Sequence, residues 1–318
     1  MRESCRDSWA FGVAGLGLMS IRLCRDAFEA SRPSEPERRT VSKIAAGGSW
    51  GEYSVVEALD ELQERRAYEC RLTPDRALRS IDEAEQFLCD RGLLTRTADS
   101  ALPSLFEACH EEPYSATSRG FGQWPATKWP WFGEVAGRGY LVVSVHRGKN
   151  LLLAEEIAAV LDPLCRAEIE RMREADANWA RLLDHLAEAG PSNIEDLQVE
   201  LALKPKELKS LRAPLERCGA IVSRSLEVTA GHGHTHTSEI ARWDQVHPGA
   251  GAVEISPLRS LENLLVAGVR AAAVAPEREL KRWFSWQWYW HDGIVDELIS
   301  EGRLTRVGDH VIAAATRS

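Results

Sequence analysis

Apolar residues recur along most of this chain at the spacing of amphipathic helices, interrupted by short runs of β-formers. Val55, Leu59 and Leu62, with charge between them, predict a surface helix over residues 55–66. Ser80 followed three residues later by Glu83 is a capping box, which predicts a helix running to about Cys89 and stopping at Gly92. Another helical stretch is expected around Pro103 to Cys109. Tyr140–Val145, a turn at Arg147-Gly148-Lys149-Asn150 and Leu151–Leu153 read as a β-hairpin, and helix returns from Ala154 to Ala189.

The pattern is richest over residues 178–246. Trp179, Leu182, Leu183 and Leu186 share one helical face, and Gly190-Pro191 ends that helix. Ser192 or Asn193 caps a second helix (194–201), and Pro205 opens a third that ends near Cys218-Gly219. Residues 221–228 and 235–243 then read as two strands around a loop rich in Gly and His. Three short helices closed by a hairpin are the layout of a winged helix-turn-helix. The layout returns at the carboxyl end: Ser256-Pro257 and Pro276 open helices, His291-Asp292 caps a third that stops at Gly302, and residues 303–307 and 310–314 form a small wing around Gly308-Asp309. This last helix is acidic, a poor reader of DNA grooves. The unit is expected to pack on its neighbours or to touch DNA only through Arg303 and Arg306.

The expected fold class is therefore α+β, mainly α, built of tandem winged helix-turn-helix-like units. Residues 54–175 form an N-terminal helical and β-hairpin winged-helix-like domain, 176–250 a central winged helix and 251–318 a C-terminal one. Residues 1–53 read as a weakly structured extension. The apolar run from Trp9 to Ile21 imitates a secretory signal, but Glu3 and Asp7 precede it and Arg22 and Arg25 follow it directly. Seven cysteines without a C-x-x-C pair indicate neither a disulfide framework nor a structural zinc site, and imply a reducing, cytoplasmic setting.

Composition adds one constraint. The 318 residues carry a net charge of −9, so bulk attraction does not hold the chain on a polyanion. The segment from Lys204 to Arg224 is the exception, with six basic and two acidic residues. At 100° per residue Leu208, Leu211, Leu215 and Cys218 form an apolar arc. Lys206, Lys209 and Arg217 fall opposite it, with Arg212 on the flank. That is the construction of a recognition helix, one face in the core and the other free for phosphates and base edges. Pro214 should kink or divide it.

The stretch SIDEAEQFLCDRGLL (80–94), then LPSLFEA (102–108), KWPWFGEVAGRGYLVV (128–143) and HTHTSEIARWDQV (234–246) resemble, in that order, the AlkZ-related proteins. These are homologues of the AlkZ/YcaQ-type DNA glycosylases. The resemblance spans residues 57–314. It implies tandem winged helices cradling duplex DNA and, where activity is retained, hydrolysis of the N-glycosidic bond of a modified purine. Active members carry a Gln-hydrophobic-Gln motif that positions the attacking water. No two of Gln63, Gln86, Gln123, Gln198, Gln245 and Gln287 stand two apart, so no catalytic residue carries over.

Other groups offer weaker chemistry. Glu134, in the Trp-rich segment, is a candidate for orienting water. The hairpin tip, Arg147 and Lys149, is a candidate DNA probe. His232, His234 and His236 alternate, so in an extended chain the outer two lie about 13 Å apart. One metal would need two neighbours plus His247 or Asp244, and a flexible wing tip is the expected reading. Trp124, Trp129, Trp131, Trp283, Trp286, Trp288 and Trp290 could stack on an extruded base, but packing accounts for them. No metal and no cofactor are expected, and duplex DNA, damaged or intact, is the expected partner. An active glycosylase on alkylated purines, a non-catalytic transcription regulator and an interaction scaffold are the alternative functions.

Overall fold

The computed structural model describes residues 52–113, 123–230, 233–248 and 255–314, so the expected extension falls almost wholly outside the described residues. Helix α1 (Glu52–Glu69) begins within that expected extension and passes three residues beyond the apolar pattern. Val55, Leu59 and the buried Leu62 pack it onto Val274, Val307 and Ile312 near the carboxyl end. Among the described residues no helix is long and apolar enough to cross a membrane.

The remaining elements repeat one order three times. The first set is α2 (Ile81–Arg91), β1 (Leu93–Thr95), α3 (Leu105–Ala108), α4 (Trp131–Gly137), β2 (Leu141–His146) and β3 (Lys149–Leu153). After a long helix, α5 (Glu155–Ala175), come α6 (Ala177–Ala189), β4 (Ser192–Asn193), α7 (Ile194–Glu200), α8 (Pro205–Arg217), β5 (Ile221–Ala230) and β6 (Gly233–Arg242). A short α9 (Trp243–Val246) leads to α10 (Pro257–Ala272), β7 (Ala275–Pro276), α11 (Glu277–Leu280), α12 (Ile294–Ser300), β8 (Leu304–Val307) and β9 (His310–Ala313). Each set closes an antiparallel three-stranded sheet with its last strand in the middle: β1-β3-β2, β4-β6-β5 and β7-β9-β8. The fold is α+β, mainly α.

Local chemistry explains the boundaries. The Ser80 hydroxyl accepts the Glu83 N–H at 3.1 Å, and the Glu83 carboxylate reaches back to the Arg79 N–H at 2.9 Å. Asp176 sits in extended backbone between α5 and α6, and its carboxylate accepts the N–H groups of Asn178 and Trp179 at 2.7 and 3.2 Å. The first hairpin turns on two residues rather than four. Arg147 and Gly148 both have positive φ (54° and 73°), the geometry whose twist matches paired strands.

Three expectations are corrected. Pro214 neither ends nor divides α8, which continues to Arg217. It forfeits the bond to the Ser210 carbonyl, and the fully buried Leu215 beside it anchors the last turn. Helix α12 is capped by Gly293 at φ 99° and not by His291 or Asp292. The central hairpin is longer than its pattern, pairing from Ile221↔Arg242 to Ala230↔Gly233, and Trp243 opens α9 instead of closing a strand. His232 and the side chains of His234 and His236 lie outside the described residues.

One hydrophobic core joins all three sets. Val145, Leu151 and Leu153 of the first hairpin meet Leu161 and Leu164 of α5, Leu182 and Leu186 of α6, Leu208 and Leu215 of α8, and Leu264, Trp283, Trp286, Leu298 and Val311 farther on. A second core, with Phe87, Leu88, Leu94, Phe106, Phe132 and Leu152, lies on the other face of the first sheet. Cys70, Cys109, Cys165 and Cys218 are buried free thiols; Cys89 is disulfide-bonded, a cross-link the cysteine spacing did not announce.

Candidate nucleic-acid interface

Helix α8 carries its apolar arc inward as the pattern requires. Leu208, Leu215 and Cys218 are buried, Leu211 is partly so, and Lys206, Lys209 and Arg217 are exposed. The helix opens with Pro205, and the Lys204 N–H donates to the Glu207 carboxylate at 2.8 Å. Arg212 behaves differently from the other three. It is half-buried and turned toward Glu216 at 3.6 Å, while Glu216 also accepts the Ser223 hydroxyl at the base of β5. Glu216 thus ties the helix to its own hairpin, and Arg212 pairs with that acid.

The turn of the first hairpin is brought against the end of this helix. A Cβ built on Gly148 would lie 3.4 Å from the Arg217 Nε. Both charges of the turn are engaged. Arg147 donates to the Arg282 carbonyl at 2.9 Å and to the Asp99 carbonyl at 3.1 Å. Lys149 pairs with the Asp99 carboxylate, whose other oxygen faces His146 Nε2 at 2.9 Å; the Trp283 carbonyl lies 2.6 Å from His146 Nδ1. Burial works to raise the Asp99 carboxyl, but hydrogen bonds from Lys149 and His146 and their attraction outweigh it and hold it below the usual carboxylate range.

The tryptophans divide as packing predicts, with one addition. Trp283 and Trp286 are fully buried, and the Trp286 indole donates to the Cys218 carbonyl at 3.0 Å, fastening the carboxyl-terminal set to the end of α8. Trp288 is 47% exposed, yet its indole N–H donates at 2.9 Å to Glu168, a fully buried carboxylate. Arg171 donates twice to the other Glu168 oxygen, at 2.8 and 2.6 Å, and lies 4.2 Å over the Trp288 ring. Glu168 and Arg171 were missed from sequence. The available clue was an acid at 168 within the apolar stripe of Leu161, Leu164, Cys165, Ile169 and Met172. A second buried acid, Asp162, accepts the Trp243 indole N–H at 2.8 Å and both-oxygen bonds from Arg166 at 2.9 Å, and meets His247 Nδ1 at 3.3 Å.

The remaining candidates are not drawn into this surface. Glu134 is exposed in the first turn of α4, whose Phe132 and Val135 face the second core, and its surroundings are those of a solvated acid. Arg303 and Arg306 are occupied. Arg303 reaches Asn263 at 2.5 Å, and Arg306 binds both oxygens of Glu277 (2.6 and 2.9 Å) and Asp296 (2.7 Å). The groove of about 520 Å³ beside Arg306 is of mixed charge, with Glu277, Asp292, Asp296 and Asp309 set among Arg278, Lys281 and Arg306. Glu262, His291 and Glu297 bring three potential metal-ligand atoms within 4.8 Å, but Glu262 already pairs with Arg259 at 2.6 Å and Arg303 at 3.5 Å.

No protein-family model matches the chain, and no curated protein matches it. Among solved structures it is similar to Streptomyces sahachiroi DNA glycosylase AlkZ, at 15% identity, over 80% of this chain and 69% of that chain, with a TM-score of 0.48.

Proposed function

We propose that the protein is a duplex-DNA-binding protein of three tandem winged-helix units, over residues 54–175, 176–250 and 251–318, related to the glycosylases of alkylation and crosslink repair, and that it binds DNA without efficient base excision. The observation that carries the DNA reading is α8. Lys206, Lys209 and Arg217 project from the side opposite its buried leucines and make no ion pair among the described residues. In an acidic chain, three unpaired cations on one exposed helix face suit a polyanion. Arg147 and Lys149 flank that face as parts of its scaffold and contact DNA only at its margin.

Changing Lys206, Lys209 and Arg217 together to Ala should weaken duplex binding and flatten its salt dependence by up to three phosphate contacts, each about 0.9 in the log–log slope. An unchanged slope places the DNA surface elsewhere. The catalytic half rests on the absent Gln pair and on Glu134, which is exposed and has no side-chain hydrogen bond or ion pair among the described residues. Single-turnover incubation with a duplex carrying an N7-alkylated purine decides it. Base release well above the spontaneous rate makes the protein an active glycosylase.

A further inference from the structure

Arg96 directly follows β1, and its carbonyl is held by two hydrogen bonds. Its carbonyl accepts the Phe106 N–H and the Ser104 hydroxyl, both at 3.1 Å. Strand alternation puts its side chain on the face that carries Leu94 and Leu152, toward the second core. There the guanidinium lies 4.7 Å from the Phe132 ring centroid and 5.2 Å from that of Trp124. Both rings lie within cation–π range of the guanidinium, and its polar directions are the in-plane N–H groups.

One of those N–H groups, the Nε, has nothing to bond among the described residues. The Nε is buried with no acceptor, and no carboxylate among the described residues acts on the group, so that burial alone pushes its pKa down. Lys128 is the contrast on the same core: its ammonium sits by the Trp131 ring and donates to the carbonyls of Leu78 and Cys109 at 2.8 and 3.2 Å. A partly desolvated cation without a counter-charge is unfavourable unless an anion arrives. Close by, at the turn end of the same sheet, Ser144 and Asn150 hydrogen-bond each other at 3.3 Å and supply further polar groups. Thr95 pairs with Leu151 as the last pair of that ladder, so Arg96 and Asn150 flank this pair at the same end of the sheet.

We propose that Arg96, held between Trp124 and Phe132, is a phosphate-binding site, with Ser144 and Asn150 at its edge. A planar guanidinium fork accepts a tetrahedral oxyanion in its own plane through two N–H···O bonds. On the DNA reading above, on which this assignment rests for its physiological ligand, the phosphate is a backbone phosphodiester. The site is distinct from the α8 surface, being built on the other core.

The test follows the ¹⁵N-indole resonance of Trp124 in the full chain during titration with inorganic phosphate and, separately, with a short oligonucleotide containing abasic phosphodiesters. The wild type should respond saturably to both, and Arg96→Met should respond to neither. Arg96→Lys keeps the charge and guards against misfolding of the first variant. It should respond about fivefold more weakly or less, because an ammonium lacks the fork. Response to inorganic phosphate alone keeps the site and assigns it to free phosphate. No response in the wild type, or an undiminished response in either variant, overturns the proposal. A phosphate response in a protein that shows no duplex binding removes the DNA reading and leaves the site standing.

Discussion

Gly148 and Arg217 meet across two different sheets' territories, the turn of the first hairpin seated against the end of the central third helix with 3.4 Å between a built Cβ and the guanidinium Nε. The contact depends on a residue that tolerates φ of 73°. Gly148→Ala should cost about 1–2 kcal/mol in urea unfolding, from the left-handed backbone alone. Gly148→Asn, which suits that conformation better, should cost visibly less. Equal losses would show that space beside Arg217, and not backbone conformation, sets the requirement.

The cations of α8 should separate by role. Arg212→Ala removes a partly screened pair with Glu216 and is expected to lower stability by less than about 1 kcal/mol while leaving the salt slope of duplex binding unchanged. Lys209→Ala should do the reverse. A slope change in the Arg212 variant would return that residue to the DNA surface.

Acid should loosen the Asp162 cluster. Burial works against this carboxylate, but bonds from Arg166, Trp243 and His247 and the Arg166 charge hold it below its ordinary value. The folded pKa thus lies below the unfolded one, near 3.9, so the contribution is complete above roughly pH 4–5 and vanishes as pH falls through the folded value. Asp162→Asn should be less stable than the wild type at pH 7, and the gap should narrow in thermal melts taken toward pH 3.

Removing Glu168 leaves an indole N–H and a guanidinium without their acceptor. Glu168→Ala should cost about 3 kcal/mol, and Trp288 fluorescence should shift toward that of a mobile, solvated indole. A variant with wild-type stability would show that Arg171 and Trp288 are held by packing alone.

Burial pushes the Cys70 thiol up to about 11 and those of Cys109 and Cys218 to about 12, and Cys165 rises too. These four should be silent to a disulfide reagent at pH 8 in the folded protein and should react on denaturation. Rapid reaction of any of them would report local opening.

The helices and hairpins were legible because their determinants are local. Ser80 with Glu83, Pro205, Pro257 and the alternation of Tyr140 to Val145 each act within a few residues. The division allowed for at Pro214 does not occur, because a local rule met a tertiary one: Leu215 beside it is wholly buried. In the candidate site, the exposure of Lys206, Lys209 and Arg217 followed from helical periodicity. The fates of Arg147, Arg303 and Arg306 did not, since each is captured by a group that the fold brings near; Arg212 pairs with Glu216 four residues on, a contact the helical spacing already allowed. Arg96 gave no sign at all in the sequence, because a cation without a partner looks the same as a solvated one until the rings around it are in place.

The shared core has a further consequence, for modularity. Trp286 belongs to a core that side chains of all three sheets share and donates to the Cys218 carbonyl, so no cut between sets leaves a sealed surface on either side. The three repeats resemble beads on a string in their order of elements and a single block in their energetics. Such a chain cannot be trimmed, shuffled or transplanted one unit at a time. A fragment holding α8 and its hairpin alone would expose the surface that Val145, Leu161, Trp283 and Trp286 now cover, and its failure to bind DNA would speak of lost folding, not of a misplaced site.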